Sequence, residues 1–373
     1  MRWSTPESHM AASGWPDRRA AHALAFAAAM VLLLTWRHER VFAAFATPHV
    51  DRWAASLFVL LALPASVALL IYDARRRRNQ QARPAAQGRS LLQLAWRRFT
   101  ANRLAIAAVY VIAVFYLVAL MAPIIAGYDP SALEDVLATR YQPPSWAHPF
   151  GTDEFGRDLF SRAVYGARVS LSIGLLAMLV AVFVGTLYGA IAGYFSGLVD
   201  NALMRLVDVL IAFPTFFLML MLVGMFEAGI VVLVFILGLT SWTSTARFVR
   251  GEILSLKERE FIEGARAIGL PAHLIIARHL IPNAIAPVLV SAAFMVGGMI
   301  GAEAGLSFLG IGIRPPTPSW GNMISAGQDA LFVAWWIAFF PGCLLALTIT
   351  AFSLLSDGLR DALDPKTLMR KYL

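Results

Sequence analysis

The chain has 373 residues, of which 59% are hydrophobic and only 14% are charged, with a mean hydropathy of +0.67. Soluble domains carry about 25% charged residues, so this composition excludes an ordinary soluble protein and indicates a membrane protein with several spans. The net charge of +8 comes from basic residues beside apolar segments, a pattern of membrane topology and not of nucleic-acid binding. Cys343 is the only cysteine, which excludes an intrachain disulfide and a cysteine-based metal site.

The first 72 residues form an N-terminal extension with two predicted transmembrane helices, Ala20–Trp36 and Trp53–Tyr72. The alternative for the first helix is a signal peptide cleaved at Ala44-Phe45-Ala46. The charged stretch Arg37–Arg40 would then fall just before the cleavage site, which is unfavourable. For the pair of helices two roles stay open: a peripheral scaffold, or a contact with another protein through Arg37–Arg52.

A basic linker, residues 73–90, follows the extension and is rich in Arg, Gln and Pro. A short amphipathic helix comes next, and we expect it to lie at the membrane interface and lead into the first core span. Its apolar face consists of Leu91, Leu92, Ala95, Trp96 and Phe99.

Six further apolar segments are each long enough to cross a membrane, which requires about 20 residues. No alternation with a period of two residues competes with them, so the predicted fold is an all-α polytopic bundle, six core spans plus two N-terminal spans. The core spans are Leu104–Ile125, Val169–Tyr194, Leu203–Phe226, Ile230–Ala246, Ala284–Leu306 and Val333–Leu355.

The charges of the loops predict the orientation. Residues 73–103 contain nine arginines, so the positive-inside rule assigns the linker to the cytoplasm, and both termini then lie there too. The predicted outer loops are 127–165 and 309–332, and the inner segments are 195–202, 247–283 and the tail from Ser356. Segment 247–283 has six basic residues whereas 309–332 has one, as the rule requires.

A charged segment, residues 252–283, interrupts the apolar pattern on the predicted cytoplasmic side. Within Glu252–Ile268 a predicted apolar stripe consists of Leu254, Phe261, Ala265 and Ile268. Gly269 is suited to end that helix, and Pro271 is suited to begin a second one, Ala272–Ile281. Pro282 then predicts a break before the next span. The general interpretation of this segment is a solvated amphipathic linker. Its residue pattern favours a more specific function.

Glu263-Gly264-Ala265, then three residues, then Gly269, resembles the EAA loop of ABC-importer permeases, Glu-Ala-Ala-x3-Gly followed by nine residues and Ile-x-Leu-Pro. The nine-residue gap is kept and Pro282 matches. The departures from the general pattern are Gly264, His279 and Ile281. The run Arg278–Asn283 looks like the version found in the dipeptide/oligopeptide branch of the family.

Three other regions resemble the C-type permease of that branch, in the same order along the chain. The outer loop before the second core span carries the first motif, whose residues are Gly151, Thr152, Asp153, Gly156, Arg157 and Asp158. Leu306–Gly310 and Asp357–Pro365 resemble later signatures. The resemblance covers about residues 91–366 of a predicted permease domain that comprises residues 91–373.

The resemblance implies a permease subunit of a bacterial importer in the plasma membrane, moving peptides by alternating access. The implied partners are a homologous permease, two cytoplasmic ATPase subunits, an extracytoplasmic peptide-binding protein and membrane lipid. Glu263 would meet a basic cleft on the ATPase, and the small residues at 264, 265 and 269 would permit close approach. Substrates of the same family, a nickel chelate or a peptide antibiotic, stay open.

The lysines Lys257, Lys366 and Lys371 lie outside any Gly-x4-Gly-Lys-Ser/Thr motif, so the chain has no P-loop and we expect no enzymatic activity of its own. The scattered histidines and the acids Asp153, Glu154 and Asp158 lack the spacing of a metal site, and no cofactor is expected. An ion-driven secondary transporter, the alternative class, needs charged sites inside several spans.

Inside the predicted spans, Glu303 is the most unusual residue, because an acid at membrane depth faces the bundle or a water-filled cavity. It is either a pathway residue or a structural partner of an arginine or a backbone amide. Arg205 and Asp208 are expected to form a local pair or to extend to the interface. The ladder Gly185, Gly189 and Gly193 predicts close helix packing, and the prolines at 214, 287 and 341 predict kinks.

Overall fold

The computed structural model describes residues 91–132, 136–226 and 229–363. The N-terminal pair of spans, the linker 73–90 and the chain after 363 lie outside these residues. Within them the secondary structure is helical, apart from one isolated antiparallel bridge between Thr152 and Asp158. The helices are α1 (Leu91–Phe99), α2 (Arg103–Leu120), α3 (Ala122–Ile125), α4 (Val136–Thr139), α5 (Leu159–Phe195), α6 (Gly197–Ala212), α7 (Thr215–Met225), α8 (Ile230–Leu256), α9 (Glu260–Ala267), α10 (Ala272–Ile275), a π-helical turn (Ile276–Leu280), α11 (Ile281–Phe308), α12 (Trp320–Gln328) and α13 (Trp336–Leu363).

Five stretches of helix in the described part are long and apolar enough to span a membrane, or six if one bent pair counts as a single span. The predicted all-α bundle is therefore confirmed, whereas the predicted number of spans stays a prediction. Several helices have other bounds than predicted, α5 and α8 among them. Helix α5 begins ten residues before the predicted Val169, because Asp158 caps its N-terminus and its first turn packs in a buried cluster with Met323, Ala330 and Trp336. Helix α8 continues ten residues past Ala246, where it packs against α5.

The third predicted core span is the bent pair. Helices α6 and α7 meet at an angle of 84° across Phe213 and Pro214. Pro214 has no N–H to donate, and its ring disfavours helical backbone at the residue before it. Phe213 accordingly adopts an extended conformation, with φ −84° and ψ 131°. The predicted kink at Pro214 is thus a complete break in the helix.

Helix α5 packs along α8 through the predicted glycine ladder. A Cβ atom added at Gly185 would lie 2.7 Å from the Trp242 carbonyl oxygen, and one at Gly189 would lie 2.4 Å from the Ala246 carbonyl oxygen. Both distances are shorter than van der Waals contact, so only glycine permits this approach of the two backbones. The close packing predicted from the ladder is confirmed, and α8 is the partner helix.

Pro282 does not break the chain, which corrects the prediction. Ala272–Phe308 runs as one continuous helical stretch, with the π-helical turn just before Pro282. The N–H of Ile281 donates to the carbonyl oxygen of Ile276, so the wider turn is established before the proline is reached. Pro282 then lies in the first turn of α11, directly after the wider π-helical turn, and the helix continues past it.

The prolines at 287 and 341 lie inside α11 and α13, which both continue through them. Helix α13 packs against α2, α11 and α12, and α11 also packs against α5 and α8. At one end of α13, Phe99 of α1, Ala105 of α2 and Ala362 form a small apolar cluster. Residues 309–335, predicted to lie outside, include α12, which packs against α5, α11 and α13.

Candidate functional site

The EAA-like motif forms a separate short helix, α9, which the 252–268 prediction had merged with the end of α8. Helix α8 ends at Leu256, Arg259 is the extended N-cap residue of α9, and Glu260 and Glu263 lie in its first turn. Carboxylates there interact favourably with the unpaired N–H groups of the helix N-terminus. At its other end, Gly269 has φ +78°.

Gly269 ends α9 in a Schellman motif. The N–H of Leu270 donates to Ala265 O at 3.1 Å, and the N–H of Gly269 donates to Arg266 O at 2.9 Å. This pattern requires a left-handed residue at position 269, which glycine adopts without a steric cost. The predicted role of Gly269 as the helix terminator is confirmed.

The buried face of α9 differs from the predicted stripe. Ile262 and Ala265 are buried, in a cluster with Val249 and Ile253 of α8 and residues of the 275–288 stretch. Phe261 and Ile268, which the pattern had grouped with Ala265, are 45% and 77% exposed. The separation of α9 from α8 rotates its register, so two apolar side chains face away from the bundle.

The motif residues consequently divide between two faces. Ala265 packs inward, so its small side chain allows α9 to approach its own bundle. Gly264 and Glu263 are exposed, and a Cβ at Gly264 or Gly269 would meet no atom within 4 Å. Glu263 makes no ion pair with any other described residue. The exposed face of α9 thus combines a free carboxylate, two glycines and two apolar side chains.

Ion pairs fix the helices beside α9. Arg250 Nε and Nη2 of α8 donate to Asp200 Oδ1 and Oδ2 of α6, both at 2.5 Å. Lys257 Nζ donates to the Ser196 hydroxyl between α5 and α6, and the Arg266 guanidinium lies 5.3 Å from the centre of the Tyr194 ring. These contacts connect the 252–283 segment to the bundle.

Asp208 has a closer partner than the predicted one. Its carboxylate accepts from Arg247 Nη2 at 2.6 Å, whereas Arg205 Nη1 is 4.0 Å away. The Asp208–Arg247 pair joins α6 to α8, so it is an interhelical contact that sequence spacing could not reveal.

The predicted outer-loop motif folds into one buried turn centred on Asp153. Its Oδ1 accepts the N–H groups of Phe155 and Arg157, and its Oδ2 accepts from Arg157 Nε at 2.7 Å. Arg162 Nε of α5 lies 3.5 Å from the same oxygen. Gly151 and Gly156 have φ +76° and +75°, which the tight turn requires. The acid is therefore neutralised by two arginines.

Thr152 and Asp158 attach this turn to the helices around it. The Thr152 hydroxyl donates to Thr139 O at 2.5 Å, and Trp336 Nε1 of α13 donates to Thr152 O at 3.2 Å. Asp158 Oδ2 accepts the Ser161 N–H as the N-cap of α5, and its Oδ1 lies 3.0 Å from His148 Nδ1. In the described part of the chain, no three His, Cys, Asp or Glu residues are grouped to hold a metal ion.

Glu303 is fully buried, with 0% of its surface exposed. Its Oε2 accepts from the Ser170 hydroxyl of α5 at 2.9 Å, and its Oε1 accepts from the Ser307 hydroxyl, one turn along α11, at 2.7 Å. The structural partners are thus serine hydroxyls, where the sequence had suggested an arginine or a backbone amide. The pathway role of Glu303 stays a prediction.

Comparison with known proteins identifies the architecture. Residues 185–369 match the family model of the binding-protein-dependent transport system inner membrane component. Residues 90–144 match that of the N-terminal TM domain of oligopeptide transport permease C.

Full-length relatives agree with these matches. The oligopeptide transport system permease protein OppC of Escherichia coli (strain K12) is 42% identical over 280 residues, 75% of this chain and 93% of that protein. The dipeptide transport system permease protein DppC of Bacillus subtilis (strain 168) is 38% identical over 74% of this chain and 86% of that protein. The glutathione transport system permease protein GsiD of Pectobacterium atrosepticum is 39% identical over 73% of this chain and 90% of that protein.

The chain belongs to the binding-protein-dependent transport permease family. It is a multi-pass inner-membrane permease with a role in ATP-driven import, and it works with other components of an ABC transporter. The resemblance inferred from the four motifs is confirmed. Both family matches lie within residues 90–369, so the N-terminal extension lies outside them.

The sequence identified the permease motifs, but it did not identify several of the side chains that contact the residues singled out in it. Ser170 and Ser307 were not predicted as partners of Glu303, because a serine in or beside an apolar span carries no distinctive pattern. One signal was present: Ser307 lies four residues after Glu303, a spacing that brings two side chains together on a helix. The Asp200–Arg250 pair, 50 residues apart, had no such signal.

Proposed function

We propose that this permease imports peptides by alternating access, with ATP hydrolysed by separate cytoplasmic subunits that dock on α9. The observation that carries the proposal is the exposed face of α9: Gly264, Phe261 and Ile268 are exposed there, and the Glu263 carboxylate makes no ion pair with another described residue. The unpaired carboxylate of Glu263 is complementary to a basic cleft, and the adjacent glycines would let α9 approach the cleft walls closely. Phe261 and Ile268 would supply apolar surface to bury in the interface.

The proposed complex contains a homologous permease, two ATPase subunits and an extracytoplasmic peptide-binding protein, with both termini of this chain in the cytoplasm. Peptide transport is supported by the names of the relatives, which include permeases for dipeptides, oligopeptides and glutathione. A nickel chelate or a peptide antibiotic is the alternative substrate. The N-terminal extension is proposed as a scaffold peripheral to this core.

The test is co-purification of the tagged permease complex with its ATPase subunits. Glu263→Lys reverses the charge that meets the basic cleft, and a like-charge contact at an interface costs several kcal/mol, so we expect ATPase retention to fall about tenfold or more. The permease itself should still insert, because the change touches no apolar span. Glu258→Gln, at an exposed position two residues before α9, is the matched control.

Transport assays in reconstituted membranes then examine the substrate. Peptide uptake that depends on ATP and on the binding protein is the expected result. Normal ATPase retention and normal uptake by Glu263→Lys would show that α9 is only a solvated linker. Uptake of a nickel chelate, with none of peptides, would instead support the alternative substrate.

A further inference from the structure

The buried carboxyl of Glu303 is connected to the outer segment by two serine relays. The Ser170 hydroxyl donates to Glu303 and accepts the backbone N–H of Trp320 at 3.4 Å. The Ser307 hydroxyl donates to Glu303 and accepts the backbone N–H of Ile313 at 3.0 Å. One carboxyl therefore orients two hydroxyls, and these fix both ends of the 313–320 connection between α11 and α12.

Close packing surrounds the relays. Trp320, the first residue of α12, is almost fully buried, and its Nε1 donates to Ala163 O of α5 at 3.0 Å. A Cβ at Gly321 would lie 2.5 Å from Ala304 O, so α12 contacts the α11 backbone at the residue after Glu303. Because this contact leaves no room even for a methyl group at Gly321, a movement of α11 beside Glu303 must displace α12 too.

Helix α11 links this cluster to the opposite end of the bundle. The helical stretch Ala272–Phe308 begins directly after the Gly269 turn that follows α9. At 1.5 Å per residue, the 24 residues from His279 to Glu303 span about 36 Å. A movement of α9 would thus reach Glu303 along one continuous helix.

We infer that Glu303 is a positioning residue for transport: through Ser170 and Ser307 it makes α12 and the 313–320 connection move together with α11. The inference rests on the proposed docking of an ATPase on α9, and extends it to the far end of the molecule. In this role Glu303 touches no substrate. It couples the movement at the ATPase side to the outer segment, and a loss of the carboxyl would uncouple the two.

The experiment measures peptide transported per ATP hydrolysed in the reconstituted complex of permeases, ATPases and binding protein. Glu303→Ala, which removes both acceptor oxygens, should lower this ratio at least fivefold. Glu303→Gln keeps one acceptor oxygen and should give an intermediate ratio. Ser170→Ala and Ser307→Ala should each lower the ratio, and adding either to Glu303→Ala should lower it no further, because all three act through one cluster.

Ser291→Ala is the matched control. Ser291 lies on the same helix, and its hydroxyl bonds only within α11, to Val288 O at 2.9 Å. Its ratio should equal that of the unmodified complex. Because the ratio is taken per ATP, a variant that merely assembles poorly lowers transport and hydrolysis together, and that result for every Glu303 and serine variant would overturn the inference.

Thiol labelling reports the outer segment directly. In a Cys343→Ala background, Met323→Cys places a thiol at a buried position of α12. Labelling there should be slow, and Glu303→Ala should speed it at least fivefold. Unchanged labelling and an unchanged transport ratio would overturn the inference. A raised substrate concentration for half-maximal transport, at an unchanged ratio, would overturn it too and place Glu303 in the pathway.

The proposed function and this inference can be refuted by different results. If Glu263→Lys retains the ATPases and transports normally, docking on α9 is wrong whatever the Glu303 variants do. If Glu263→Lys loses the ATPases while all Glu303 and serine variants keep a normal ratio, docking stands and only the positioning role is wrong.

Discussion

Asp200 of α6 and Arg250 of α8 form a two-point ion pair in which each carboxylate oxygen accepts from a different guanidinium nitrogen, both at 2.5 Å. The pair lies where α8 approaches the end of its span, six residues before Leu256. It therefore holds the first half of the broken span, α6, against the helix that leads into α9.

We expect Arg250→Lys to lower thermal stability, because an ammonium group cannot reproduce the two parallel bonds of the guanidinium. The Arg250 side chain is about one-third exposed, so screening by water limits the coupling energy between the two residues to about 1 kcal/mol. A double-mutant cycle of Asp200→Ala and Arg250→Ala, followed by thermal unfolding in detergent, measures it. Arg205→Ala, at an 85% exposed position, is the control and should leave stability unchanged. Fully additive effects would contradict the pairing.

Gly189→Ala tests the contact between α5 and α8. The added methyl would lie 2.4 Å from the Ala246 carbonyl oxygen and 3.0 Å from the Arg250 backbone nitrogen, so the helices must separate. Overpacking of this kind costs about 1–3 kcal/mol, and the melting temperature should fall. Gly251→Ala is a matched control inside α8, where a Cβ meets no atom within 4 Å. Equal melting temperatures of the two variants would contradict the predicted clash.

Gly264 and Gly269 lie on the same short segment and should respond to alanine in opposite ways. Gly269→Ala forces a side chain into the left-handed region, at a cost of about 1–2 kcal/mol, so the segment should become less stable. Gly264→Ala lies inside α9 with open space around it, and the gain in helix propensity is up to about 1 kcal/mol.

Co-purification of the ATPase separates an effect on stability from an effect on docking in the Gly264→Ala and Gly269→Ala variants. If the ATPase approaches Gly264 closely, Gly264→Ala should reduce ATPase co-purification although the permease is at least as stable as before. Thermal unfolding and co-purification of the same preparations check both expectations. Full ATPase retention by Gly264→Ala would argue against close approach at this residue.

The orientation of the bundle is tested by labelling single thiols in intact cells in a Cys343→Ala background. Ser131→Cys and Asp329→Cys, both at exposed positions of predicted outer loops, should react with a membrane-impermeant reagent. Glu258→Cys, exposed at the predicted cytoplasmic end, should react only after the cells are opened. Reaction of the thiol at 258 in intact cells would reverse the orientation.

Much of the fold was predictable because lipid imposes a simple rule on a chain. Backbone polar groups in a bilayer must be paired internally, so long apolar segments become helices, and the order of these helices along the chain can be read from the sequence. Local backbone chemistry was predictable for a similar reason. The positive φ of Gly269, the ladder of Gly185, Gly189 and Gly193, and the disruption at Pro214 all follow from the covalent structure of glycine and proline.

The tertiary structure decided which faces and partners these elements have. The separation of α9 from α8 turned Phe261 and Ile268 outward and Ala265 inward, against the predicted stripe, because register depends on where a helix begins. The π-helical turn before Pro282 kept α11 continuous with the segment before it. The hydroxyls around Glu303 come from positions up to 133 residues away. Periodicity and motif spacing carry local information only, so contacts between distant helices emerge only when the bundle is packed.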